Sequence, residues 1–146
     1  MRNIKFFNIV FFILILFNAK NLFANDVQVI IEITNVEVNG GIVYGAVFFN
    51  AVEFRNEEPS ISFELASTAS VLSQVVTLPP GEYVVSAYQD RNGNEQCDFN
   101  FLGIPRELVA ISNYSGWGFP SRNFDRQKVP INRSTGKVSI RLYSFL

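Results

Sequence analysis

Histidine is absent from this 146-residue chain, and cysteine and methionine occur once each. Without histidine there is no Ser-His-Asp or Cys-His nucleophile, no histidine zinc ligand and no histidine pH switch. A single cysteine excludes an internal disulfide framework and a four-cysteine zinc site. Charge of either sign is scarce: 12 Lys+Arg stand against 13 Asp+Glu, a net −1 with no basic run. Nucleic acid is thereby excluded as a partner, because its phosphates need a Lys/Arg stripe. Internal repeats, low-complexity tracts and linkers are missing too. The longest apolar stretch is about 12 residues, short of the roughly 20 that span a bilayer as helix.

That stretch lies at the start. Arg2 and Lys5 precede the run from Phe6 to Phe17, followed by polar Asn18, Lys20 and Asn21 and then Leu22-Phe23-Ala24. A basic n-region, an apolar h-region and a small residue at the cut describe a signal peptide. Residues 1–24 are therefore expected to be removed near Ala24–Asn25, placing the chain in the periplasm or outside the cell. An uncleaved N-terminal anchor is the alternative. No cysteine follows the apolar run to carry a lipid. Cleavage removes Arg2, Lys5 and Lys20, leaving nine bases against the 13 acids, a net charge of −4. The remaining residues, 25–146, read as a single β-sandwich domain with no transmembrane anchor. A domain of that size buries roughly two-thirds of its unfolded surface and stands without disulfides.

Beyond residue 24 the hydrophobic period is two. Val27, Val29, Ile31 and Ile33 alternate with Gln28, Ile30, Glu32 and Thr34, the pattern of a half-buried strand. Asn39-Gly40 separates this run from Ile42–Phe49, which reads as a hairpin turn. Residues 50–59 lose the alternation and read as a loop. Ile61–Leu65, Val71–Leu78, Glu82–Tyr88, Lys128–Ile131 and Val138–Tyr143 complete about seven strands, with Pro79-Pro80-Gly81 as a turn. The expected fold is all-β, a single antiparallel β-sandwich, with a small closed barrel as the alternative. Residues 90–123 are irregular yet contain Phe99, Phe101, Leu102, Trp117 and Phe119. So apolar a segment is expected to fold over the sandwich as an ordered loop.

At the head of that loop, Asp90, Asn92, Asn94 and Asp98 stand at relative positions 1, 3, 5 and 9. This spacing turns alternate oxygens inward around a hard cation, with Glu107 as a downstream ligand if the chain folds back. Calcium is the candidate ion. Gly93 at position 4, Glu95 at position 6 and Phe101 at position 12 depart from the usual calcium loop, and an Asx-rich turn bonding its own backbone is the competing reading. Cys97 reads as a small buried hydrophobe. Ser115 lacks a base and the glycine two residues before it. Tyr114 and Trp117 are candidates for a platform under sugar rings, against simple packing of the loop.

Leu78-Pro79-Pro80-Gly81-Glu82-Tyr83, the loop from Asp90 to Asp98, Gly103-Ile104-Pro105-Arg106-Glu107 and Ser112-Asn113 follow one another in order. In this succession the chain resembles the exported bacterial domain-of-unknown-function family 2141, over about residues 27–143. The resemblance implies a transthyretin-like or prealbumin-like β-sandwich, exported, with no established activity. Asp90, Asn92, Asn94, Asp98 and Glu107 match the family's polar positions. Glu95 replaces its loop glycine, and Leu108–Ile111 replace a segment with two glycines.

The expected function is an exported, non-catalytic binding or envelope module whose partner is an envelope protein or polysaccharide. A carbohydrate-binding module built on Tyr114 and Trp117 is the alternative. A hydrolase using two of Asp90, Asp98, Glu107 and Asp125 is a further one.

Overall fold

The computed structural model describes residues 25–146; the expected signal peptide lies outside the described residues. Among the described residues eight strands and two short helices follow in order: β1 Val27–Thr34, β2 Ile42–Phe48, α1 Ala51–Asn56, β3 Ile61–Ala66, β4 Val71–Leu78, β5 Gly81–Asp90, β6 Leu108–Ile111, α2 Phe124–Gln127, β7 Val129–Ile131 and β8 Lys137–Arg141. One sheet has the order β4-β1-β8; the other runs β3-β2-β5-β6, with β7 also paired to β5. The fold is an all-β sandwich, as the alternation requires.

In β1 the odd positions Val27, Val29, Ile31 and Ile33 point inward and are almost fully buried. They meet Val43, Val47, Val85 and Ala87 of the opposite sheet in one core with Leu72, Val76, Leu78, Ile131, Val138, Ile140 and Leu142. Each large aliphatic buried here contributes up to about 1.5–3 kcal/mol relative to exposure.

Four details depart from expectation. First, the sheets are not wholly antiparallel, since β8 lies parallel to β1 with Ile31 opposite Val138 and Ile33 opposite Ile140. Second, Asn39-Gly40 does not join a hairpin. β1 pairs β4 and β8, β2 pairs β3 and β5, and residues 35–41 carry the chain from one sheet to the other. Asn39 (φ 60°) and Gly41 (φ 102°) take the left-handed conformations of this crossing. Gly41 is required there, because a Cβ on it would stand 1.8 Å from the Asp90 carbonyl oxygen. Third, part of the expected loop at 50–59 is helix α1. Asn50 caps it by accepting from the N–H groups of Val52 and Glu53, both at 3.0 Å, and Glu53 Oε2 accepts from Phe49 N at 2.8 Å. This reciprocal cap resembles a capping box. Fourth, β6 divides the long irregular segment in two, pairing Leu108–Ile111 with Ser86–Gln89 of β5.

Candidate functional site

Strand β5 delivers the site. Its register with β2 sets Tyr88 opposite Tyr44, and the rings stack at 5.1 Å with planes 19° apart. Tyr88 donates from its hydroxyl to the Glu95 carbonyl at 3.0 Å. Burial, helped by Tyr44, Asp90, Cys97 and Glu95, pushes the Tyr88 phenol up to about 12. Two residues on, Asp90 ends the strand with its carboxylate buried beneath the loop that follows.

Asp90 Oδ1 accepts from Gly93 N at 2.8 Å, and Oδ2 accepts from Glu95 N at 2.7 Å. Burial raises its proton affinity, but the N–H groups of Glu95, Gly93, Asn94 and Asn92 together hold the carboxyl below its ordinary range. Asn92 and Asn94 each accept from the N–H two residues ahead, at 3.0 Å, as Asx turns do. Their carboxamide nitrogens both donate to Asp98 Oδ2, at 2.7 and 2.8 Å. Glu107 makes none of these hydrogen bonds. Its buried carboxylate accepts from Arg91 N at 3.1 Å and Arg91 Nε at 3.4 Å, and Arg91 also lies 3.9 Å from Glu37.

The structure thus gathers Asn92, Asn94 and Asp98 on one oxygen, closes the turn on Asp90, and commits Glu107 to Arg91. Among the described residues no three His, Cys, Asp or Glu side chains gather as a metal cage would require. The loop as built satisfies its own oxygens. A calcium ion would take the place of the two carboxamide donors on Asp98 only after both asparagines rotate to present oxygen. The four carboxylates considered for hydrolysis have separate partners, the fourth being Asp125, 3.0 Å from Lys128.

Further along, Asn100 Oδ1 accepts from Leu102 N (2.9 Å) and Ile104 N (3.0 Å), and Arg106 N donates to the Asp98 carbonyl. This further Asx turn holds Phe101 and Leu102 outward, 94% and 67% exposed. After β6, Ser112 Oγ is buried, accepts from Val85 N at 3.0 Å and donates to the Gln127 carbonyl at 2.6 Å. Tyr114 packs edge-on against Tyr143 at 5.2 Å and tilts over Phe145, while Phe119 stacks on Phe145 at 5.6 Å. Tyr114 and Trp117 are therefore not an aligned pair: the tyrosine is tied into this cluster and the tryptophan is 89% exposed. Ser115 is exposed, and Cys97 is half-buried.

Between the crossing segment and the Asp90 turn lies an open cleft of about 540 Å³, lined by Glu37, Asn39, Tyr44, Arg91, Asn92 and Glu95 among others. Sequence reasoning missed Tyr44, Arg91 and buried Gln89, whose partners are distant in the chain. The one available signal was Arg91, a cation set among oxygen-bearing neighbours.

Comparison with curated proteins and with solved structures finds no match in either. A family match extends over residues 31–143, from the middle of β1 to just past β8, and takes in the whole Asp90–Asn123 loop region. The chain belongs to the family described as "Uncharacterized protein conserved in bacteria (DUF2141)".

Proposed function

We propose that this protein is an exported, non-catalytic binding module that presents the loops between residues 91 and 123 to a partner in the cell envelope. The observation that carries the reading is the exposure of Phe101, Leu102, Trp117 and Phe119 on backbone tied down by Asx turns and aromatic packing, Phe119 being 64% exposed. Exposed apolar side chains on ordered backbone mark interaction surfaces, and here they stand in two loops, Phe101 and Leu102 before β6 and Trp117 and Phe119 after it. Export is supported by the arrangement of residues 1–24, and none of the described helices is long and apolar enough to cross a membrane.

Trp117 is the chain's single tryptophan, so its fluorescence reports on this surface alone. Titration with soluble envelope polysaccharide and with detergent-extracted envelope protein separates the two partner classes. A blue shift with either in the wild type, with retention on that same preparation lost in Trp117→Ala, supports the reading. Unchanged emission and no retention on both preparations overturn it.

Carbohydrate binding by Trp117 is the second reading, favoured by the free, flat indole; with Tyr114 packed away, one ring rather than two would carry the sugar. Calcium binding by the Asp90–Asp98 turn is a separate element of the proposal, supported by the 1-3-5-9 spacing of Asp90, Asn92, Asn94 and Asp98, and it requires both asparagines to turn their carboxamide oxygens toward Asp98. In that role the ion stiffens the base of the loops and takes no part in chemistry.

A further inference from the structure

The free edges of the two sheets are unequally defended. Natural sheets protect exposed edges with charge, proline, bulges or cover, because unpaired N–H and C=O groups invite another strand. The β3 edge carries Glu64 and the β8 edge carries Lys137 and Arg141. Short β7 contains Pro130, and β6 is bridged on its outer side by Val109–Tyr143. Edge strand β4 has none of these devices. Its eight residues, Val-Leu-Ser-Gln-Val-Val-Thr-Leu, contain no charge and no proline. Its partner β1 pairs it in unbroken register from Val71–Thr34 to Leu78–Val27. Among the described residues no strand pairs its other side.

The direction of the unpaired groups follows from the neighbours. Ile30 N donates to Gly136 O at 3.1 Å, away from β4, so Ile30 and Val75 form a non-hydrogen-bonded pair. The N–H and C=O of Val71, Ser73, Val75 and Thr77 therefore point to the open edge. The Val75 carbonyl confirms the direction: it accepts from Gln74 Nε2 at 2.9 Å, a side chain folded back over the edge. On the outer face Val71 and Val75 are half exposed, beside exposed Ile30.

We propose that β4 pairs antiparallel with β4 of a second copy of this chain, joining the three-stranded sheets into one of six strands. Charge selects this occupant. Two-fold pairing of β3 about Glu64 sets that acid against its own copy, and pairing of β8 about Ser139 sets Lys137 against Arg141. Pairing of β4 meets no like charges. With the two-fold axis at Gln74, Val71 faces Thr77 and Ser73 faces Val75, and every outward group from Val71 to Thr77 finds a partner. The contact is isologous and closes as a dimer. Gln74 acts as a latch, since its amide must leave the Val75 carbonyl before the second strand docks.

Sedimentation velocity across the micromolar range tests this on the chain as the producing cell processes it. The wild type is expected to pass from monomer to dimer with rising concentration. Val75→Lys is expected to weaken dimerisation at least about tenfold, by bringing two like charges to diagonal positions across the axis. Val75→Pro removes an outward N–H that β1 does not use, so it blocks the dimer while circular dichroism keeps the monomer's β spectrum. Gln74→Ala removes the latch and strengthens association. A wild type that stays monomeric throughout, or a dimer that survives Val75→Lys, overturns the proposal.

Discussion

Gln89 and Glu37 pair as if they were residues of adjacent strands, although one is a side chain and the other a main chain. Gln89 Oε1 accepts from Glu37 N at 2.9 Å, and Nε2 donates to Glu37 O at 2.6 Å. The glutamine is fully buried. It therefore anchors the segment that crosses between the sheets to the strand that ends in Asp90. Gly40 makes room for the contact, since a Cβ there would come within 2.9 Å of Gln89 Nε2.

Replacing Gln89 with leucine removes both bonds and leaves Glu37 N without its buried partner. A loss of about 2 kcal/mol is expected, measured as a lower urea midpoint with unchanged slope. Gln89→Glu keeps the acceptor and loses the donor. It should be unstable at neutral pH and recover in acid, when the protonated carboxyl again donates to Glu37 O. Equal stability of Gln89→Leu and the wild type would show that the crossing segment is held by other contacts.

Asp90 links the loop to acid stability. Its carboxyl is held below the ordinary range, so the unfolded chain takes up this proton at higher pH than the folded one. Its contribution is complete above the unfolded value and is lost as pH falls through the folded value. Asp90→Asn turns an N–H donor toward the Gly93 or Glu95 amide and is expected to cost about 2 kcal/mol at neutral pH. It should also flatten the acid limb of melting temperature against pH. An acid limb identical in slope to the wild type would exclude Asp90 as its source.

For calcium the measurement is thermal melting in EDTA, calcium and magnesium. A loop with two nearby carboxylates belongs in the weak range of extracellular modules, with Kd about 10⁻⁴–10⁻³ M. At ten times that concentration linkage adds about 1.4 kcal/mol, or about 3–6 °C for a domain of this size. Magnesium should add much less, and Asp98→Ala should abolish the calcium shift. A wild-type melting temperature that ignores calcium leaves the turn to its own hydrogen bonds.

Cys97 is expected to be inert in the folded chain. Burial, aided by the charges of Glu107, Glu57 and Asp98, pushes its thiol up to about 12. The thiolate is then about a thousandfold rarer near neutrality than for a free cysteine. Iodoacetamide should label it slowly in buffer and rapidly in urea, with a native rate still rising at alkaline pH. Fast native labelling at neutral pH would contradict this.

What the sequence revealed was whatever depends on near neighbours. Alternation from Val27 to Ile33 reports which side chains face the core, and the 1-3-5-9 oxygens report a turn whose hydrogen bonds span two to six residues. The partner of each strand is a different matter. Asn39-Gly40 has the chemistry of a hairpin turn, yet β1 ends at Thr34 and β2 begins at Ile42. Seven residues intervene, enough to cross the roughly 10 Å between packed sheets. Helix α1 was legible in Asn50 and Glu53, but its six residues are too few to display a helical period. Spacing alone sets Glu107 with the calcium oxygens, because it carries no information about Arg91, which claims the carboxylate.

The parallel pairing of β8 with β1 joins residues 107 positions apart, with Ile30 opposite Lys137. The central strand of the smaller sheet thus lacks one neighbour until residues 137–141 have been synthesised. Contacts so distant in sequence are slow to form, because a long loop must close before they stabilise anything. Under the export proposed above, the delay keeps the chain pliable for threading through a membrane. Strand β8 then acts as the fastener of the smaller sheet, held to β1 from Ile30–Lys137 to Thr34–Arg141.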